Sequence, residues 1–386
     1  MLTASQCSST VLCIGTGWFP KTPGGLDRYV YELTHYLAAA GHQVELCGIG
    51  LPETPLDSPV KLTNLAEPSQ PFLHRCRSLR SNFLKHTCQP DAINLHFALY
   101  SFPLLHSLPE DVPITFTFHG PWSLESQWEG ASSLNVFLKY WIEKHVYRRC
   151  DRFIVLSKAF GTILHHHYSV PWSKIYIIPG GVDTARFQIT LSRQQARQQL
   201  GWERDRFILF TPRRLVQRMG LDVLFNALAG LKSRHSDIWL AVAGKGPQRN
   251  MLEQKISELG LENYVKFLGY LPDEHLPIAY QAADLTVIPS QSLEGFGLVL
   301  LESLACGTPV LCTPVGGMPE ILTSFSPDLI TDTADAHAIE ARLRSLLSGN
   351  LPLPSRDTCY EYASTSFNWS KISQQVQQVL LAPKAD

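Results

Sequence analysis

Short apolar runs alternate with amphipathic stretches from one end of this chain to the other. That rhythm constrains the fold more than any single motif. In the first half the runs 10–15, 43–48, 91–97, 113–119, 152–157 and 174–179 read as strands. In the second half 206–211, 238–244, 264–269, 284–289 and 309–313 do the same. Helical periodicity fills the gaps. In 26–41, for example, Tyr29, Val30, Leu33, Tyr36 and Leu37 share one stripe. Alternation of this kind predicts parallel sheets covered by helices on both faces, an α/β class. With 386 residues the chain exceeds one ordinary core and fits two doubly wound, Rossmann-like domains of about 180 residues each. A Pro-Gly-Gly stretch near 179–187 marks the break. The predicted boundaries are 1–180, 181–366 and a closing helical segment, 367–386, expected to pack back on the first domain. Two such domains facing each other would form a cleft at the carboxyl ends of their sheets, where ligands bind.

Composition narrows the function classes. A net charge of −1 gives no basic footprint for nucleic acid. Nine scattered cysteines, none in a C-x-x-C pair, point to a reducing, cytoplasmic setting rather than a disulfide framework or zinc site. The first ten residues carry no basic, apolar leader pattern, and no run of apolar residues is long enough to span a membrane.

The segment Pro289–Leu322 carries the chemistry. Glu294 and Glu302 stand eight residues apart around a Gly-Phe-Gly turn that leads from a strand into an apolar helix. A helix N-terminus offers free N–H groups and a positive dipole end to phosphates, and carboxylates accept hydrogen bonds from sugar hydroxyls. Glu302 lies in an otherwise apolar helix and needs a partner there.

These residues resemble the glutamate-x7-glutamate signature of glycosyltransferase family 4, whose members have the GT-B fold. Four further stretches agree in order: 19–33 with its Gly-Gly loop, 116–120 with its His-Gly motif, the junction 179–187, and 243–253 with a loop in the second domain. The resemblance covers most of residues 10–382. It implies a retaining hexosyltransferase, independent of metal and needing no cofactor beyond a UDP- or GDP-linked sugar as co-substrate. Carried onto matched positions, Glu302 is expected at the donor ribose and Glu294 beside the transferred sugar. Phe296, Gly297 and Leu298 are expected to present backbone N–H groups to the donor. Gly24 and Gly25 match the loop approaching phosphate, Gly244 the second domain's glycine loop, and His119 the histidine near sugar and acceptor. Tyr270 falls where the donor base lies, and Arg214 matches the arginine that neutralises the pyrophosphate. His119, Glu294 and Arg214 form the expected catalytic set.

One stretch departs from the pattern. Arg213 stands where glycine is usual, and Met219 where a second cation is expected. Methionine cannot donate to phosphate, so either Arg218 or Arg213 takes that place or activity is reduced, and a bidentate grip favours Arg218. Two other readings fail. Pro20 breaks the dinucleotide fingerprint begun by Gly15 and Gly17, and Arg249 breaks the one begun by Gly244 and Gly246. No Asp-x-Asp metal clamp occurs.

The acceptor is less legible. Residues 74–86 hold four Lys or Arg, two His and no acid. Leu73, Cys76, Leu79 and Phe83 are placed on one helical face, the pattern of a helix lying on an anionic membrane, and residues 137–150 add aromatic and basic character. Against this, residues 1–180 as a whole balance 14 Lys+Arg with 13 Asp+Glu. The leading expectation is a transferase acting on a glycolipid or polysaccharide precursor, cytoplasmic and peripherally bound to membrane. The alternatives are a transferase for a small soluble acceptor and a non-catalytic nucleotide-sugar binder. The sequence names neither the sugar, the base nor the linkage.

Overall fold

The computed structural model describes residues 8–22, 24–54, 58–85 and 88–384. The reading of the extreme N-terminus falls mainly on residues 1–7, and that of the basic stretch includes His86. Both lie outside the described residues. The chain divides into two compact units, Met1–Gly180 with Trp369–Asp386, and Gly181–Asn368.

The first unit holds a parallel seven-stranded sheet in the order β3-β2-β1-β4-β5-β6-β7. Its strands are β1 Thr10–Ile14, β2 Gln43–Ile49, β3 Val60–Ala66, β4 Ala92–Leu95, β5 Ile114–Phe118, β6 Arg152–Val155 and β7 Ile175–Ile177. Helices cover both faces, so β4, β5 and β6 are buried along their whole length. That double burial is why they read as nearly unbroken apolar runs. The polar exceptions pair inside: Thr117 Oγ1 donates to Asn94 Oδ1 at 2.9 Å. The strand β3 escapes the sequence reading. It is an edge strand carrying exposed Lys61 and Asn64, and so lacks the apolar continuity of its neighbours. The helix Trp369–Leu380 belongs to this unit. Its Trp369 ring lies 5.2 Å from Tyr29 and 6.0 Å from Tyr36 on the helix Gly25–Ala39.

The second unit holds a parallel five-stranded sheet in the order β10-β9-β8-β11-β12. Here β8 is Phe207–Pro212, β9 Ile238–Ala243, β10 Val265–Gly269, β11 Leu285–Ile288 and β12 Val310–Cys312. In both units chain order reverses inside the sheet, between β1 and β4 in the first and between β8 and β11 in the second. The loops leaving the carboxyl ends of such strand pairs diverge to opposite faces and open a crevice between them.

The predicted apolar face of the basic helix is corrected by the structure. In Phe72–Leu84 only Leu79 and Phe83 are buried against the unit, while Leu73 is 73% exposed. Leu73 stands at the edge of that face, about 80° to 120° from Phe83 and Leu79, and in the helix's first turn, where it is exposed. The larger exposed apolar surface belongs to the helix Ser133–Arg149. Leu134, Phe137, Leu138 and Trp141 are 42% to 68% exposed there, opposite buried Glu143, Val146 and Tyr147.

Candidate active site

The second unit's reversal point gathers the most charge. Arg213 follows β8, held in place by its N–H bond to the Ala243 carbonyl at 2.8 Å. Its buried guanidinium donates from Nη2 to both Ser290 Oγ and Glu294 Oε2. Ser290 Oγ in turn donates to the same carboxylate oxygen at 3.0 Å. Arg218, also buried, donates from Nη1 to the Leu293 carbonyl at 3.2 Å. Burial alone would raise the Glu294 carboxyl. The Arg213 charge and hydrogen bond, helped by Arg218 and Ser290, outweigh it and hold the group below the usual carboxylate range. Two buried arginines therefore face one carboxylate.

The backbone around this cluster admits little variation. Leu293, next to Glu294, sits at φ 52°, a left-handed conformation that costs a non-glycine residue about 1–2 kcal/mol. Gly316, at φ 60°, packs so close that a Cβ would fall 1.8 Å from the Glu294 carbonyl oxygen. Gly317 N–H bonds that same oxygen at 3.0 Å. Gly244, at φ 146°, lies equally close to the Arg213 carbonyl, with a Cβ 1.9 Å away. Glycines thus lock the main chain of both partners of the ion pair.

Downstream, Gly297 at φ 89° opens the helix Leu298–Ala305. The ring of Phe296 is buried 5.9 Å from that of Phe367, so this residue offers the site its backbone rather than its ring. Glu302 is buried and receives the Tyr280 hydroxyl at 2.9 Å. Met219 is buried and Arg214 is exposed. Tyr270, 46% exposed, carries the Lys245 ammonium 5.5 Å from its ring centroid.

In the first unit the reversal point lies between β1 and β4. Asp27, in the first turn of Gly25–Ala39, accepts from Thr16 Oγ1 and, at 2.9 Å, from Gly17 N–H, tying the loop after β1 to the helix start. Gly24 has an extended backbone, and a Cβ there would meet only Asp27 Oδ2 at 3.6 Å. The protein's own packing therefore does not demand glycine at that position. His119, just past β5, is half-buried. Its Nε2 lies 3.1 Å from Nδ1 of His96, which directly follows β4 and is fully buried. The Tyr29 ring stands edge-on to His119 at 5.0 Å. Desolvation pulls His119 down to about 3 and His96 well below its ordinary value, so both rings are neutral near pH 7.

The structure thus brings Glu294, Gly244 and Arg218 together with Arg213, and places Gly297, Leu298 and Glu302 on the next helix. Sequence reasoning missed His96, Tyr29, Ser290 and Tyr280 as neighbours of the site. For His96 a signal existed, a histidine ending a strand run; Tyr280 has none. Among the described residues no group of three or more His, Cys, Asp or Glu is arranged to hold a metal ion. No described helix is long and apolar enough to cross a membrane.

Two family models match this architecture, one unit apiece. Residues 23–186 match "Glycosyltransferase Family 4" and residues 192–366 match "Glycosyl transferases group 1". The chain belongs to glycosyltransferase family 4. Among its relatives is a GDP-mannose-dependent alpha-(1-6)-phosphatidylinositol monomannoside mannosyltransferase of Mycolicibacterium smegmatis. It is 35% identical over 187 residues, covering 46% of this chain and 48% of the relative. The mannosylfructose-phosphate synthase of Agrobacterium fabrum is 31% identical over 60% of this chain and 53% of its own length. These matches span about half the length of those two relatives. Among solved structures, sucrose-phosphate synthase from Thermosynechococcus elongatus superposes with a TM-score of 0.78 at 24% identity, over 96% of this chain and 98% of that one. An Anabaena protein solved with UDP and glucose gives 0.76 at 20% identity, over 96% and 99%. Such likenesses place the family 4 chain in the GT-B fold.

Proposed function

We propose that this protein transfers a hexosyl unit from a UDP- or GDP-linked sugar to a hydroxyl of a glycolipid or polysaccharide-precursor acceptor. In this reading anomeric configuration is retained and no divalent metal takes part. The observation that carries it is the buried Arg213–Glu294–Arg218 cluster at the second unit's reversal point. Its excess positive charge suits a leaving diphosphate, and cationic donors aimed at developing charge lower the barrier to its departure. Arg218 supplies the charge absent at Met219, with exposed Arg214 as a further cation. Glu302 receives the ribose hydroxyls, Glu294 the transferred sugar, and the N–H groups at Gly297 and Leu298 the phosphate or sugar oxygens. Tyr270 provides a stacking surface for the base. In the first unit the room at Gly24 lets the Gly24–Gly25 loop approach a phosphate, and His119 meets the sugar and acceptor.

The lipid side of the reading rests on the helix Ser133–Arg149. An apolar stripe of Leu134, Phe137, Leu138 and Trp141 that faces outward over about two turns, on a unit that also exposes the cations Arg77 and Arg80, fits an anionic bilayer surface. Likeness to mannosylfructose-phosphate synthase favours a second reading, a soluble phosphorylated acceptor. The test is incubation with radiolabelled UDP- or GDP-sugar, with and without lipid extract. Label should move to the lipid fraction, and Glu302→Ala or His119→Ala should each cut the rate by about 10²-fold or more. Full turnover by either variant would refute the site. Label appearing only on soluble sugar phosphates would replace the lipid reading with the second one.

A further inference from the structure

The contact between His96 and His119 fixes more than position. Nδ1 of His96 and Nε2 of His119 are 3.1 Å apart, within hydrogen-bond range. Two neutral rings carry two protons, so one lies between them and only the accepting ring has a second to place, on its other nitrogen. If His119 donated from Nε2, the remaining proton of His96 would sit on its Nε2. That atom is buried and has no hydrogen-bond partner among the described residues. A sealed N–H without an acceptor is a rare and costly defect. If instead His96 donates from Nδ1, its Nε2 is bare and His119 carries its own proton on Nδ1. His119 is the half-buried member of the pair, and none of the described hydrogen bonds engages its Nδ1. The Tyr29 ring, edge-on at 5.0 Å, holds the imidazole plane.

We propose that His96 is a positioning residue that locks His119 as the Nδ1–H tautomer, so that His119 meets its ligand as a hydrogen-bond donor to a hydroxyl or phosphate oxygen. His119 then cannot be the group that takes the proton from an attacking hydroxyl, because its one basic nitrogen is already occupied by His96. The inference rests on the reading that His119 faces the reacting sugar, but its test does not. The full chain, labelled with ¹⁵N-histidine, gives a long-range ¹H–¹⁵N spectrum in which the His119 signals are identified by their loss in His119→Gln. The wild type should show His119 protonated at Nδ1 and bare at Nε2. In His96→Phe the proton should move to Nε2, and turnover should fall about tenfold with the donor KM unchanged. A wild-type His119 protonated at Nε2 would overturn the proposal, as would a His119 spectrum unaffected by His96→Phe. Should His96→Phe fail to fold, the wild-type spectrum alone decides. An inactive protein with the expected spectrum would sink the functional reading and leave this one standing.

Discussion

At the scale of single residues, Arg213 sets this site apart. Its guanidinium binds Glu294 in a largely buried pair, with side-chain exposures of 6% and 12%. Removing one member of such a pair leaves an uncompensated charge, at a cost of about 3–5 kcal/mol. Arg218 stays close enough to offset part of that. Arg213→Ala is therefore expected to cost about 3 kcal/mol, lowering the melting temperature of the second unit by about 6–12 °C. The double variant Arg213→Met/Glu294→Gln should recover most of the loss. Calorimetry checks both, and an unchanged Arg213→Ala transition would contradict the pairing. The sequence made Glu294, Glu302 and Gly297 legible, because their spacing is local. It could not show that Arg213, rather than Arg214 or Arg218, reaches Glu294. That choice depends on which way three arginines on one loop turn, and Ala243, Ser290 and Gly244 decide it from distant parts of the chain. His96 could be seen ending a strand run, but its pairing could not, since its partner lies 23 residues away just past the neighbouring strand.

At the scale of elements, eleven strand runs read from the sequence correspond to strands, because buried parallel strands write themselves as apolar blocks. Only β3 was missed, where exposed Lys61 and Asn64 dilute the signal. Helix orientation was harder to read. The 74–86 stretch drew attention by its charge, yet the residues buried on it, Leu79 and Phe83, serve the core. The helix Ser133–Arg149 scatters apolar and charged residues around its circumference, with buried Glu143 opposite exposed Phe137 and Trp141, so periodicity alone could not show which side faces out. It is also tied to the histidine loop. Its buried Glu143 accepts the N–H groups of Trp122 and Ser123 at 2.8 and 3.2 Å, capping the short helix that follows His119 and Gly120. The combined variant Leu138→Glu/Trp141→Glu should abolish co-sedimentation with anionic vesicles while leaving the melting temperature within about 2 °C, as surface changes usually do. Undiminished vesicle binding would remove this helix from the lipid-facing surface.

At the scale of the whole molecule, both units repeat one plan. Each has a parallel sheet whose strand order reverses, with polar residues gathered at the carboxyl end of that reversal. In the first unit the gathered groups are neutral histidines, and in the second they are arginines and carboxylates. The division suits a hydroxyl-bearing partner on one and an anionic donor on the other. The central claim is that the second unit binds a nucleotide diphosphate, and thermal shift with UDP, GDP and ADP tests it most directly. A ligand at about 100 times its Kd stabilises its site by about 2.7 kcal/mol, a rise of about 5–10 °C for a unit of this size. One of the three nucleotides should give that rise in the wild type and lose most of it in Arg218→Ala. No rise with any of them, or a rise of the same size in Arg218→Ala, would contradict the account.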